Sequence, residues 1–157
     1  MKDKIILKTD LREHKKLKVN IRFYKALGVD FVLLRPFERL DENELEDLFA
    51  LNHFYEKNGL SLVVSFHIKK LMAKLLDKDP ANIDFADPKI RQGLYHFLGY
   101  LIKHGIRAFD LEDLESLANG GADLLKACRE LNKNTFFNKD VLAMGEIDAS
   151  KKTQIAL

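Results

Sequence analysis

The chain has 157 residues, 46% of them hydrophobic and 32% charged, which fits one folded domain over residues 1–157 and excludes a disordered chain. Its 26 Lys and Arg nearly balance 24 Asp and Glu, and the net charge of +2 argues against a dedicated nucleic-acid binder. The single cysteine, Cys128, excludes an intrachain disulfide and a cysteine-based zinc site.

No apolar stretch is long enough for export or for membrane insertion. The first residues contain only the run Ile5-Ile6-Leu7, whereas a signal peptide has about 7–15 such residues. We therefore expect a cytoplasmic protein without membrane association. The Gly-Gly turn at residues 119–121 lacks the Gly-x-x-x-x-Gly-Lys pattern of a phosphate-binding loop, and no metal ion or cofactor is expected.

A unit of strand, helix and glycine recurs along the chain. Three helical patterns end at Gly28, Gly59 and Gly105, and each is followed by a short apolar run. Glycine tolerates the left-handed conformation that ends a helix, and such runs are typical of strands buried on both faces. The predicted strands are residues 5–7, 29–34, 60–64, 106–109 and 141–144, and the predicted helices lie within residues 17–27, 41–57, 88–103 and 122–131.

This alternation predicts a parallel α/β fold with about five strands and flanking helices. At about 31 residues per unit, each crossover is near the minimum length of a strand–helix–strand motif. A complete (β/α)8 barrel needs about 250 residues, so we expect a partial (β/α) barrel or a five-stranded open sheet.

Polar side chains follow the predicted strands, where parallel α/β folds bind ligands. Glycoside hydrolysis requires two carboxyl groups at such places, because one protonates the leaving oxygen while the other attacks carbon or activates water. Glu112 and Glu146 occupy such positions. The alternative is that these acids are surface charges that bond neighbouring lysines or backbone N–H groups. The candidates at strand ends are Arg35, Ser65, His67, Asp110, Glu112, Asp113, Glu146 and Asp148.

Three segments match the motifs of one enzyme family in the family's order. DFADPKIRQGLY at 84–95 matches Asp-Leu-Asn-x-x-Asn-Pro-x-Val-Arg, and KHGIRAF at 103–109 matches Lys-Gly-Ile-Asp-Gly-Phe-Arg. ELNKNTFFNKDVLAMGE at 130–146 matches Glu-Met-Asn-x-x-x-Phe…Asp-Val-Met-Thr-Val-Gly-Glu. The chain thus resembles the alpha-amylase family of glycoside hydrolases, especially oligo-1,6-glucosidases, dextran glucosidases and trehalose-6-phosphate hydrolases. The resemblance implies the first part of a TIM barrel.

The resemblance also assigns roles, and several positions depart from the family's pattern. Glu146 falls on the general acid, and Glu112 falls on the nucleophile, which the family has as Asp. Asp110 falls where the family has an Arg beside the nucleophile. Ser65 and Lys70 fall near the family's first-motif Asp and His, so both functional groups are missing. The family's later strands, with a second Asp–His motif, are absent from this sequence.

We therefore expect a degenerate relative that serves as a non-catalytic scaffold or binding protein related to carbohydrate metabolism. The alternative is an active glycoside hydrolase on α-glucosides with Glu146 as general acid and Glu112 as nucleophile. Asp110, Arg35 and His67 would contact the substrate, although His67 also fits a partly buried histidine with a satisfied nitrogen. Open sheet edges lead us to expect a homodimer or another protein partner. A third interpretation is that the chain is a piece of a longer protein.

Overall fold

A computed structural model describes residues 6–10 and 21–144, in which five parallel strands form one sheet in sequential order. The partial-barrel prediction is confirmed, because each strand pairs in parallel with the next one along the chain. The strands are β1 (Ile6–Asp10), β2 (Phe31–Arg35), β3 (Ser61–Phe66), β4 (Ala108–Leu111) and β5 (Phe136–Phe137).

Helices connect the strands, and local capping explains where the two longest begin. Asp41 caps one by accepting from the backbone N–H of Glu44, and Asp87 caps another with Pro88 in the first turn. Gly28, Gly59 and Gly105 follow helix ends with φ of 80°, 75° and 100°, so the predicted glycine stops are confirmed. The helices are α1 (Ile21–Ala26), α2 (Glu42–Lys57), α3 (Ile68–Leu76), α4 (Pro88–Lys103) and α5 (Ala122–Arg129).

Helix α3 corrects one prediction. None of the four helices predicted from the sequence covers the segment after the third strand, but α3 occupies Ile68–Leu76 there. Its apolar residues Ile68, Leu71 and Met72 are buried in the main core. The segment is helical because this face has sheet and helix partners on which to pack.

Alternation along the strands divides the core into two layers. Side chains such as Val32, Val64 and Phe109 point toward the helices and join the large core cluster. Phe31, Val63 and Ala108 point to the opposite, inner face, where a smaller cluster forms. A strand whose two faces are both buried consists of consecutive apolar residues. This explains why apolar runs in the sequence predict these strands.

The fifth strand is not where the sequence indicated. Residues 141–144 were predicted as a strand, but β5 consists of Phe136 and Phe137, which pair with Ala108 and Phe109. The backbone from Asn138 to Ala143 instead forms a 3-10 helix. Its apolar Val141 and Met144 cover the inner face of the sheet, so their hydrophobicity reflects burial and not strand pairing.

No helix in the described part of the chain is long and apolar enough to cross a membrane. The single-domain organisation and the cytoplasmic location remain predictions.

Candidate functional site

Strand register gathers polar side chains at the carboxyl ends of the central strands. Ser65 lies opposite Asp110 in the pairing of β3 with β4, and the backbone N–H of Glu112 continues the ladder to the carbonyl of Phe66 at 3.0 Å. Side chains alternate along a strand, so Asp110 and Glu112 project on the same inner side. They line a cavity of about 700 Å³, here named the central cavity, whose wall consists of Lys8, Thr9, Leu33, Arg35, Asp110, Leu111, Glu112, Glu115 and Asn138.

One buried hydroxyl joins the two carboxylates. Ser65 Oγ lies 3.1 Å from Asp110 Oδ2 and 3.0 Å from Glu112 Oε1, and only 1% of the residue is exposed. A hydroxyl carries one hydrogen, so Ser65 donates to one carboxylate at a time while the other has only a close contact.

An arginine pairs with the same carboxylate oxygen. Arg35 Nη2 lies 2.5 Å from Glu112 Oε1, with 68% of the arginine side chain exposed against 22% for the glutamate. A pair this open to solvent contributes at most about 1 kcal/mol to stability, because water and salt screen it. The pair matters for position, since the Arg35 guanidinium and the Ser65 hydroxyl both contact Oε1 of Glu112.

Asn138 closes the wall of the central cavity by extending the sheet with its side chain. Its Nδ2 donates to the carbonyl of Leu111 at 3.1 Å, and its Oδ1 accepts from the backbone N–H of Leu111 at 3.2 Å. The residue adopts φ 52°, which asparagine tolerates better than most residues. The sequence analysis did not single out Asn138. The only local sign of its role is that an asparagine directly follows the two residues of β5.

His67 and Asp113 form a second polar group on the other side of Arg35. The Asp113 residue is 8% exposed, and its carboxylate accepts from the backbone N–H groups of Ile68 at 2.7 Å and Lys69 at 3.2 Å. The same carboxylate lies 3.0 Å from His67 Nδ1. Asp113 therefore satisfies two backbone N–H groups at the start of α3, and His67, the N-cap residue, accepts from the backbone N–H of Lys70 through Nδ1 at 3.4 Å.

The structure thus brings together some of the residues singled out from the sequence. Asp110, Glu112, Ser65 and Arg35 form one connected cluster at the central cavity, and His67 with Asp113 lies beside it. Glu146 and Asp148 lie outside the described residues, so the pairing of Glu112 with Glu146 and the catalytic and substrate-binding roles remain predictions. Within residues 6–10 and 21–144, no group of three or more His, Cys, Asp or Glu residues could hold a metal ion.

Comparison with known proteins points to one group of enzymes, although no family model matches the chain. The glucan 1,6-alpha-glucosidase of Streptococcus pneumoniae serotype 4 is 26% identical over 117 residues, which is 69% of this chain and 20% of that enzyme. This match supports a relationship with alpha-amylase-family glycosidases.

Solved structures show the same fold. Eubacterium rectale Amy13B superposes with a TM-score of 0.62 at 10% identity, over 85% of this chain and 43% of that one. A noncanonic maltogenic alpha-amylase from Thermotoga neapolitana gives a TM-score of 0.60 at 10% identity, over 85% of this chain and 44% of the amylase. The chain therefore spans a fifth of the curated relative and less than half of these two structures.

Proposed function

We propose that this chain is a non-catalytic carbohydrate-binding scaffold related to alpha-amylase-family glycosidases. One observation carries the proposal: the carboxylate of Glu112, at the position that resembles the family's nucleophile, is engaged by Arg35 at 2.5 Å and by Ser65 at 3.0 Å. Both contacts are to Oε1, so attack would depend on Oε2 alone, which would have to point at the sugar carbon in the correct geometry. Glu112 serves as part of a polar wall.

The neighbours of Glu112 support the same conclusion. Asp110 shares the Ser65 hydroxyl with it and stands where the family has a positively charged arginine. Glutamate is also one methylene longer than the family's aspartate, which moves the oxygen in a site where the two carboxyl groups should lie about 5–5.5 Å apart. Groups that catalyse as a unit lose most of the rate when one of them is altered.

The central cavity supports a binding role. Its wall offers the carboxylates of Asp110 and Glu112, the guanidinium of Arg35, the ammonium of Lys8 and the apolar side chain of Leu33. Mixed donors and acceptors beside an apolar surface suit a polyhydroxylated ligand, because hydroxyl groups donate and accept hydrogen bonds. The relationship with glycosidases makes α-glucosides the first ligands to test.

Titration with isomaltose, followed by backbone amide shifts in NMR, tests this proposal. We expect shifts at the residues around the central cavity and an affinity that falls in Asp110→Asn. The matched control is Glu46→Gln, which removes an exposed carboxylate on α2 that does not line this cavity. No shift with isomaltose or with maltose contradicts carbohydrate binding, and equal losses in both variants contradict the assigned site.

A second candidate is an active α-glucosidase that uses Glu112 as nucleophile and Glu146 as general acid. The observation in its favour is that Asp110 and Glu112 both face an open cavity at the strand ends, where such enzymes act. Hydrolysis of an aryl α-glucoside separates the two candidates, because only the enzyme releases the aryl group.

We also propose that a second copy of the chain, or another protein, covers the edge of the sheet. Within the described residues β1 pairs only with β2, and such edges are usually covered or paired. Light scattering after size exclusion tests this: a dimer or larger assembly is expected, and a monomer at high concentration contradicts self-association.

A further inference from the structure

A second cavity, here named the side cavity, lies next to the central cavity. It occupies about 340 Å³ between the ends of β2 and β3 and the start of α3. Arg35 and Glu112 line both cavities, so their ion pair forms part of the wall that separates the two cavities.

We propose that the side cavity binds a phosphate-class anion, either free phosphate or a phosphate monoester. The donors would be the ammonium groups of Lys70 and Lys74, the ring of His67 and N–H groups of the Arg35 guanidinium. A tetrahedral dianion suits this set, since flexible ammonium groups and a guanidinium bind its oxygens from several directions.

The two lysines are available for such a ligand. Lys70 and Lys74 are four residues apart on α3, so their side chains lie on one face of the helix. Both residues are exposed, both line the side cavity, and neither forms an ion pair with an acid in the described part of the chain. Two unpaired cations on one wall attract an anion.

The N-terminus of α3 is not the binding group, because it already has a carboxylate. Asp113 accepts the backbone N–H groups of Ile68 and Lys69, which leaves the side chains to hold an external anion. Nδ1 of His67 accepts from the backbone N–H of Lys70 at 3.4 Å and lies 3.0 Å from the Asp113 carboxylate, while Nε2 has no hydrogen-bond partner among residues 6–10 and 21–144. The second ring nitrogen is therefore held in a fixed orientation at the wall of the side cavity.

The acidic residues of the wall do not cancel this positive charge. Glu38 and Glu112 also line the side cavity, but three cations, Arg35, Lys70 and Lys74, stand against these two acids, so the wall keeps an excess of one positive charge without counting His67. Apolar side chains complete the wall, and the rings of Phe37 and Phe66 meet edge to face with their centroids 5.6 Å apart. An apolar surface lowers the local dielectric constant and strengthens the attraction between the lysines and an anion.

Inorganic phosphate is the first probe, added to the full chain and followed through the amide shifts of α3. We expect saturable shifts around Lys70 and Lys74 with a dissociation constant on the order of 1 mM. The Lys70→Gln/Lys74→Gln variant should bind about tenfold more weakly, and 1 M NaCl should weaken binding in the unaltered chain. Lys78→Gln is the matched control, because Lys78 is exposed near the end of α3 and does not line the side cavity.

Three outcomes decide the proposal. Shifts that the double variant weakens and Lys78→Gln leaves unchanged support the site. No saturable shift, or equal weakening in both variants, overturns it. Parallel titrations with glucose 6-phosphate, inorganic phosphate and glucose identify the source of the anion. Tighter binding of the sugar ester than of inorganic phosphate indicates a monoester, whereas equal binding of both phosphates indicates the free anion. Because free phosphate contains no sugar, this result does not depend on the carbohydrate proposal.

Discussion

Replacing Asp113 with alanine removes one buried carboxylate that accepts from two backbone N–H groups and contacts a histidine ring. The backbone N–H of Ile68 donates to it at 2.7 Å, that of Lys69 donates at 3.2 Å, and His67 Nδ1 lies 3.0 Å away. Ile68 is fully buried, so in the variant its N–H has no access to water. Lys69 and His67 are partly exposed, and water can take over their hydrogen bonds.

The magnitude follows from these exposures. One buried, unsatisfied donor costs about 1–3 kcal/mol, and loss of a helix cap costs about 1 kcal/mol. The variant also avoids the cost of burying a carboxylate, which offsets part of the loss. We therefore expect Asp113→Ala to lower the free energy of unfolding by about 2–3 kcal/mol. Asp113→Asn should lower it by less, because one acceptor oxygen remains for Ile68.

Urea unfolding followed by circular dichroism measures the effect, with the slope of the transition as a check on two-state behaviour. The matched control is Glu115→Ala, which removes an exposed carboxylate two residues away and should change stability by no more than about 0.5 kcal/mol. An Asp113→Ala loss as small as that of the control would refute the role given to this carboxylate.

Three further predictions rest on buried groups outside the cavities. Glu44→Gln should lower the free energy of unfolding by about 1–2 kcal/mol in urea denaturation, because the Glu44 carboxylate accepts three backbone N–H groups of the β2–α2 loop; an unchanged midpoint contradicts this. Burial raises the pKa of the Tyr55 phenol, so stability should decline above about pH 10, where the unfolded chain ionises first. The Tyr55 hydroxyl has no hydrogen-bond partner in the described part of the chain, so Tyr55→Phe should cause no loss at pH 7 and should weaken that alkaline decline. Burial also raises the pKa of the Cys128 thiol to about 12, so a thiol reagent at pH 8 should react only after unfolding, and rapid labelling of the native chain contradicts this.

Four of the strands and four of the helices could be predicted because their signals are local. A short apolar run indicates a strand buried on both faces, and a single glycine indicates a helix end with positive φ. Each signal needs only a few consecutive residues. Helix α3 was missed because its start depends on Asp113, which lies 45 residues from Ile68 in the sequence. His67 stands at the N-cap, where the usual residues are Ser, Thr, Asp and Asn.

The last strand shows a different limit. Val141 and Met144 lie in a stronger apolar run than the two-residue β5, yet they cover the inner face of the sheet from a 3-10 helix. Hydrophobicity indicates burial, and periodicity cannot distinguish the two structures over four residues. Phe136 belongs to a strand because its backbone N–H donates to the carbonyl of Arg107 at 2.8 Å.

Part of the candidate site was also predictable. Parallel strands end at one edge, so Ser65, Asp110 and Glu112 could be expected near one another. The pairing of Arg35 with Glu112 could not be read from spacing, because it depends on how far two side chains reach across the sheet. Asn138 was not predictable for the same reason, since its amide completes a ladder with Leu111, 27 residues away.

The most direct test of the central claim is hydrolysis of 4-nitrophenyl α-glucoside by the full chain, with Glu112→Gln and Glu146→Gln beside it. If the Glu112 carboxylate is a wall group held by Arg35 and Ser65, none of the three proteins should release nitrophenol above the rate in buffer. Turnover by the unaltered chain that both substitutions abolish would contradict the non-catalytic scaffold and establish a glucosidase.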